Sequence, residues 1–122
     1  MKLQTYRHED KRRTLIEWIK DIPVRSIKTI YVKEKLPLGV HYHKNKDEVF
    51  YLQQGKGIMY LKSAHDSQAK MSREWIFEGE CIYVPRGTIH VFELFPGSIL
   101  LEAATEPFNE HDEIKVEISL PQ

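Results

Sequence analysis

The sequence predicts an all-β fold of antiparallel strands, and three observations carry that prediction. Short apolar runs recur along the chain, separated by Gly, Pro and polar turn signals. The runs are rich in Ile, Val, Tyr and Phe, which suit a pleated, half-buried surface. Their number and regular spacing indicate a sandwich or barrel. With 122 residues, the chain has the size of one domain around a single core.

In chain order, residues 7–13 form a mixed-sign segment that reads as solvated. Residues 14–19 suit either a helical turn or an N-terminal strand. Strands are predicted at 26–33, 40–43, 48–53, 57–61, 75–77, 80–84, 90–94 and 98–103. Residues 44–47 are polar and read as a hairpin loop, with Glu48 opening a strand that runs back alongside. Residues 63–71 read as an exposed loop. The stretch 105–113 is acidic and turn-like, and a last apolar stretch follows at 114–118. Within 48–52, Glu48, Phe50 and Leu52 share one face while Val49 and Tyr51 share the other. Both faces are apolar, so one lines an interior and the other needs a second layer, from the chain itself or from a partner subunit. With Trp18 and Trp75 available for an interface, the expectation is a homodimer.

Composition excludes several classes of partner. Eighteen basic residues balance eighteen acidic ones, so there is no electrostatic case for nucleic acid or an anionic membrane. No apolar run approaches the roughly 20 residues of a membrane span. The polar N-terminus lacks the apolar stretch of a signal peptide. Cys81 is the single cysteine, which rules out an intramolecular disulfide and fits a cytoplasmic location. It reads as a small buried residue, not a nucleophile.

The chemistry sits elsewhere. His41 and His43 are two apart on a strand, so their imidazoles project to one face, and Glu48 follows closely. Pro85-Arg86-Gly87-Thr88 makes a tight turn, with Pro fixing one φ and Gly free to adopt a positive one. That turn delivers His90 into the next strand, facing the interior. An interior lined by three neutral imidazoles and an unpartnered carboxylate carries a large desolvation cost. One divalent ion removes it, and His with Glu suits Mn, Fe, Ni, Co or Zn without choosing among them.

The spacing resembles the cupin superfamily of double-stranded β-helix proteins. The first motif stands as His41-x-His43, then Glu48 and Gly55; the second as Gly79, Pro85-x-Gly87 and His90. The resemblance implies a single cupin domain over residues 1–122, a jelly-roll barrel, and His41, His43, Glu48 and His90 as metal ligands within 39–90. Asp47 competes with Glu48, but the distance to Gly55 favours Glu48. The sequence departs from the family at Lys35 and Leu94, where a glycine and an asparagine are usual, and neither position supplies a ligand. A narrower likeness covers residues 10–17, 22–23, 27–31 and 104–114, which are similar to segments of nucleotide-sugar 3,4-ketoisomerases. Leu38 and Glu48 depart from those enzymes, and Glu48 with its neighbours is closer to capsule-sugar and phosphomannose isomerase cupins.

Together these imply an isomerase or epimerase of a sugar, sugar phosphate or nucleotide sugar. In that chemistry the metal is a Lewis acid that stabilises an enediolate. Tyr31, Tyr83 and His111 are candidates for proton transfer. Arg86 and Lys28 are candidates for substrate binding at a barrel rim. An iron-dependent dioxygenase and a non-enzymatic small-ligand binder remain as alternatives on the same ligands.

Overall fold

The computed structural model describes residues 1–121, in which twelve strands and no helix form. In order they are β1 (Lys2–Leu3), β2 (Tyr6–Glu9), β3 (Thr14–Glu17), β4 (Ser26–Tyr31), β5 (Leu38–His43) and β6 (Glu48–Gln54). They continue as β7 (Lys56–Ser63), β8 (Ser72–Phe77), β9 (Cys81–Val84), β10 (Thr88–Leu94), β11 (Ile99–Ala104) and β12 (Glu113–Lys115). The segment 14–19 therefore starts as a strand, not a helical turn. Its β-branched Thr14 and Ile16 suit that choice, and it pairs with β2 as a separate hairpin.

Two five-stranded antiparallel sheets face each other, ordered β1-β9-β6-β11-β4 and β12-β5-β10-β7-β8. Between them pack Phe50, Leu52, Met59, Ile76, Ile82, Phe92, Leu94 and Leu100. Phe50 and Leu52 come from the inward face of β6, as the alternation predicts. The same alternation turns Val49 and Tyr51 outward, where the chain itself supplies their cover. Trp18, Ile19 and Ile22 lie over Val49, Tyr51 and Cys81, with Trp18 stacked on Tyr51 at 5.4 Å between ring centroids. On the opposite sheet, Met71, Ile118 and Leu120 cover Ile58, Tyr60 and Val91. The second layer that the two-faced strands require is thus intramolecular on both sides.

One connection differs from expectation. β5 and β6 belong to different sheets, so residues 44–47 are a crossover between layers, not a hairpin loop. Period-two alternation shows which face a residue takes but not which sheet its strand joins. A polar crossover between two layers must bury something, and here Lys46 is only 2% exposed.

Local backbone geometry brings β5 against β10. A β-bulge falls between His90 and Val91, and Gly39 opposite adopts φ +97°. A Cβ on Gly39 would stand 2.6 Å from the His90 carbonyl oxygen, so only glycine permits this approach. Val40 follows at φ 55°, a left-handed conformation that costs a β-branched residue on the order of 1–3 kcal/mol. The result is a register in which His41 and His90 stand directly opposite one another. Among the described residues, no helix is long and apolar enough to cross a membrane.

The packing between the sheets has a measurable weight. Leu52 is completely buried, and Leu52→Ala is expected to cost about 2–5 kcal/mol in denaturant unfolding. A loss below about 1 kcal/mol would contradict a tightly packed inter-sheet core.

Candidate metal centre

His41 and His43 project from β5, His90 from the neighbouring β10, and Glu48 from the start of β6 on the facing sheet. The turn before β10 is tied down at this point: the Gly87 N–H donates to the His43 carbonyl oxygen at 2.8 Å. One ligand nitrogen from each of the three histidines lies within 4.8 Å of those of the other two. Glu48 Oε1 stands 3.4 Å from His43 Nε2 and 3.5 Å from His90 Nε2.

The other ring nitrogens face oxygen atoms. His90 Nδ1 donates to the Thr88 carbonyl at 3.1 Å, which leaves Nε2 as its lone-pair nitrogen. Glu113 Oε1 lies 2.6 Å from His41 Nδ1, and Asp112 Oδ2 lies 3.6 Å from His43 Nδ1. A carboxylate or carbonyl behind each imidazole is the arrangement that orients histidine ligands toward a metal. Asp112 is itself fixed, because its Oδ1 accepts the N–H groups of Lys44 at 2.9 Å and Asn45 at 2.7 Å. Neither acid is identified by the motifs. Both lie about 70 residues beyond the histidines they face and arrive because β12 pairs with β5.

Burial sets the electrostatics. It pushes the His43 and His90 imidazoles down to about 3, so both rings are neutral at physiological pH. Burial also lowers His41, with the Glu113 carboxylate opposing. Lys46, 4.0 Å from Glu48 Oε2, has its pKa lowered by burial, and its Nζ meets no hydrogen-bond acceptor. The acids Glu48, Glu102, Asp112 and Glu113 outnumber the ammonium groups of Lys28 and Lys46 by two. Neutral imidazoles gathered together and this excess of negative charge fit a divalent transition ion.

The cluster opens on a cavity of about 190 Å³ between the sheets, also lined by Lys28, Phe50, Phe92, Leu100, Glu102 and Phe108. A larger hollow of about 700 Å³ lies near the N-terminal segment against Trp18, Ile22 and Tyr83, and it contains none of the clustered histidines. Of the residues proposed for substrate contact, Lys28 lines the smaller cavity, whereas Arg86 is ion-paired with Asp47 at 3.3 Å outside it. Asp47 also accepts the Arg86 N–H at 2.9 Å and so faces away from the imidazoles. Tyr31 and His111 are exposed and Tyr83 lies beside the larger hollow, so none of these three reaches the cavity. Glu102, buried in the cavity wall, carries no motif that would single it out among the chain's glutamates.

A family model described as Cupin matches residues 30–110. The chain belongs to the cupin family. Its facing antiparallel sheets are the double-stranded β-helix that the motifs predict. This cupin superposes on WlaRB, a TDP-quinovose 3,4-ketoisomerase from Campylobacter jejuni, with TM-score 0.83 and 19% identity, covering 95% of this chain and 92% of that one. The rmlC epimerase of Mycobacterium tuberculosis gives TM-score 0.82 at 15% identity, covering 94% of this chain and 67% of that one. An uncharacterized protein of Aquifex aeolicus (strain VF5) is 28% identical over 82 residues, 64% of this chain and 59% of that protein. The match thus spans less than two thirds of that relative's length. At the identities of the two solved structures, the likeness establishes the fold.

The neutral histidines make folding pH-dependent. His43 and His90 have folded values of about 3 against an ordinary 6.5, so the unfolded chain binds more protons as pH falls below 6.5. Their contribution is complete above 6.5 and is lost as pH drops. Chelator-treated protein is expected to lose urea stability from pH 6.5 toward about 5, more steeply than a His43→Gln/His90→Gln variant. Equal slopes would contradict neutral buried rings.

Proposed function

We propose that this cupin binds one divalent transition metal and isomerises or epimerises a carbonyl sugar, on the strength of one observation. Three histidine nitrogens lie within 4.8 Å of one another at the wall of a cavity, and the Glu48 carboxylate reaches two of these rings, His43 and His90. His41, His43, Glu48 and His90 would hold the ion, and Asp112 and Glu113 would orient two of the rings. A bound divalent ion would supply Lewis acidity toward a carbonyl oxygen and its neighbouring hydroxyl.

The chain's own residues shape the rest. Phe50, Phe92 and Leu100 form an apolar wall that excludes water from the reacting carbon. Lys28 sits at the rim, its Nζ 5.1 Å from the Phe108 ring centroid, where it meets an anionic or hydroxyl group of the substrate. The cavity's 190 Å³ corresponds to about six waters at ~30 Å³ each, which suits the carbonyl end of one sugar ring. Any nucleotide would lie outside it. The TDP-sugar ketoisomerase and the epimerase that share the fold support carbohydrate as the ligand class. Ile27, Tyr31, Trp75 and Phe77 are among the exposed apolar side chains available to a second copy, and a homodimer is part of this reading.

Elemental analysis of purified protein is expected to find close to one transition metal per chain. Asp112→Asn and Glu113→Gln are each expected to weaken metal affinity about 10–100-fold. The metal-loaded protein is expected to exchange the hydrogen α to the carbonyl of hydroxy-ketone sugars with D2O, followed by NMR. Tight sugar binding without exchange would replace this reading with that of a ligand-binding cupin.

A further inference from the structure

We infer that Glu102 is the catalytic base of this cavity, a role that rests on the isomerase reading above. The titratable side chains lining the cavity are Lys28, His41, His43, Glu48, His90, Glu102 and Glu113. Glu48 faces the His43 and His90 imidazoles, and Glu113 lies against His41. Glu102 is the remaining carboxylate. It is 5% exposed, and among the described residues its side chain accepts no hydrogen bond. Its charged neighbours are Lys28, with Nζ 3.7 Å from Oε2, too far for a hydrogen bond, on a side chain still 41% exposed, and the buried Lys46 ammonium, for which Glu102 is the strongest opposite charge.

A structural role explains this poorly. Burying a carboxylate is costly unless it is closely paired and hydrogen-bonded, and an apolar residue at this position would fill the wall without that cost. Placement explains it better. On β11, Glu102 pairs with Phe50 of β6 while Ala104 pairs with Glu48. Glu102 and Glu48 are therefore diagonal neighbours on one sheet face, about 7–8 Å apart at the backbone. The histidines face them from the opposite sheet. A substrate whose carbonyl lies at the histidine–Glu48 cluster thus presents its α-carbon toward Glu102.

In the step assigned to Glu102, its carboxylate takes the proton from the α-carbon. The C–H electron pair forms a carbon–carbon double bond, and the carbonyl π pair moves onto the carbonyl oxygen. As Glu102 returns that proton to the former carbonyl carbon, the α-hydroxyl passes its own proton to the former carbonyl oxygen and its oxygen becomes the new carbonyl, which gives the isomer. No oxidant or co-reactant is needed.

Two measurements separate this inference from the reading it rests on. With dihydroxyacetone as probe in D2O, Glu102→Gln is expected to lower exchange about 10²–10⁴-fold while leaving metal content unchanged. Glycidol, a small epoxide, is expected to esterify Glu102 in the unaltered protein: the carboxylate opens the ring, and the resulting alkoxide takes a proton from water. Peptide mass mapping locates the ester. Exchange by Glu102→Gln within a few-fold of the parent, or an ester on Glu48 or Glu113 or on no residue, would overturn the assignment. A parent protein that exchanges nothing yet is esterified at Glu102 would sink the isomerase reading and leave Glu102 as the cavity's reactive carboxylate.

Discussion

Glu48 faces two imidazoles across the gap between the sheets, and the rest of the site is arranged around that meeting. The carboxylate comes from one sheet and His43 and His90 from the other, so the contact exists only while both layers hold their separation. The apolar residues packed beneath, from Phe50 and Phe92 down to Leu52 and Leu94, fix that separation. Charge inside this gap is costly, and neutral imidazoles lower the cost on one side. The carboxylates gathered around the gap from both sides outnumber the nearby ammonium groups, which would suit a cation.

Much of this was legible in residue order. Eight strands fall where apolar alternation places them, and the two motifs bring His41, His43, Glu48 and His90 into one cluster. The rest was not legible, for identifiable reasons. Alternation cannot show that β5 and β6 join different sheets, so Lys46 looked like part of a solvated hairpin when it is buried at a crossover. The His41–His90 register depends on a bulge and on a left-handed Gly39–Val40 pair, and neither has a pattern that can be read from residue type alone. Asp112 and Glu113 belonged to a stretch whose acidity suggested only a turn. Their positions behind the histidines follow from pairing across some 70 residues.

One of the proteins that share the fold is by name a TDP-quinovose 3,4-ketoisomerase and another an epimerase, yet identities of 19% and 15% establish the fold alone. Function on this scaffold depends on the side chains that project inward. Here those are a histidine cluster at one end, an apolar wall, and Glu102 with Lys28 at the β4–β11 seam. On the reading proposed above, such a division would set electrophile and base on opposite sides of a small substrate, with little room for water between them.

The pairing of β12 with β5 also governs how the site is assembled. His41 and His43 are synthesised long before Asp112 and Glu113, the acids that stand behind their rings. A nascent chain can close most of its barrel and still hold these imidazoles without a fixed orientation. Competence to hold the proposed ion would therefore come last, when a three-residue strand docks. Loss of that strand would leave every proposed ligand in the chain, but His41 without the carboxylate behind its ring.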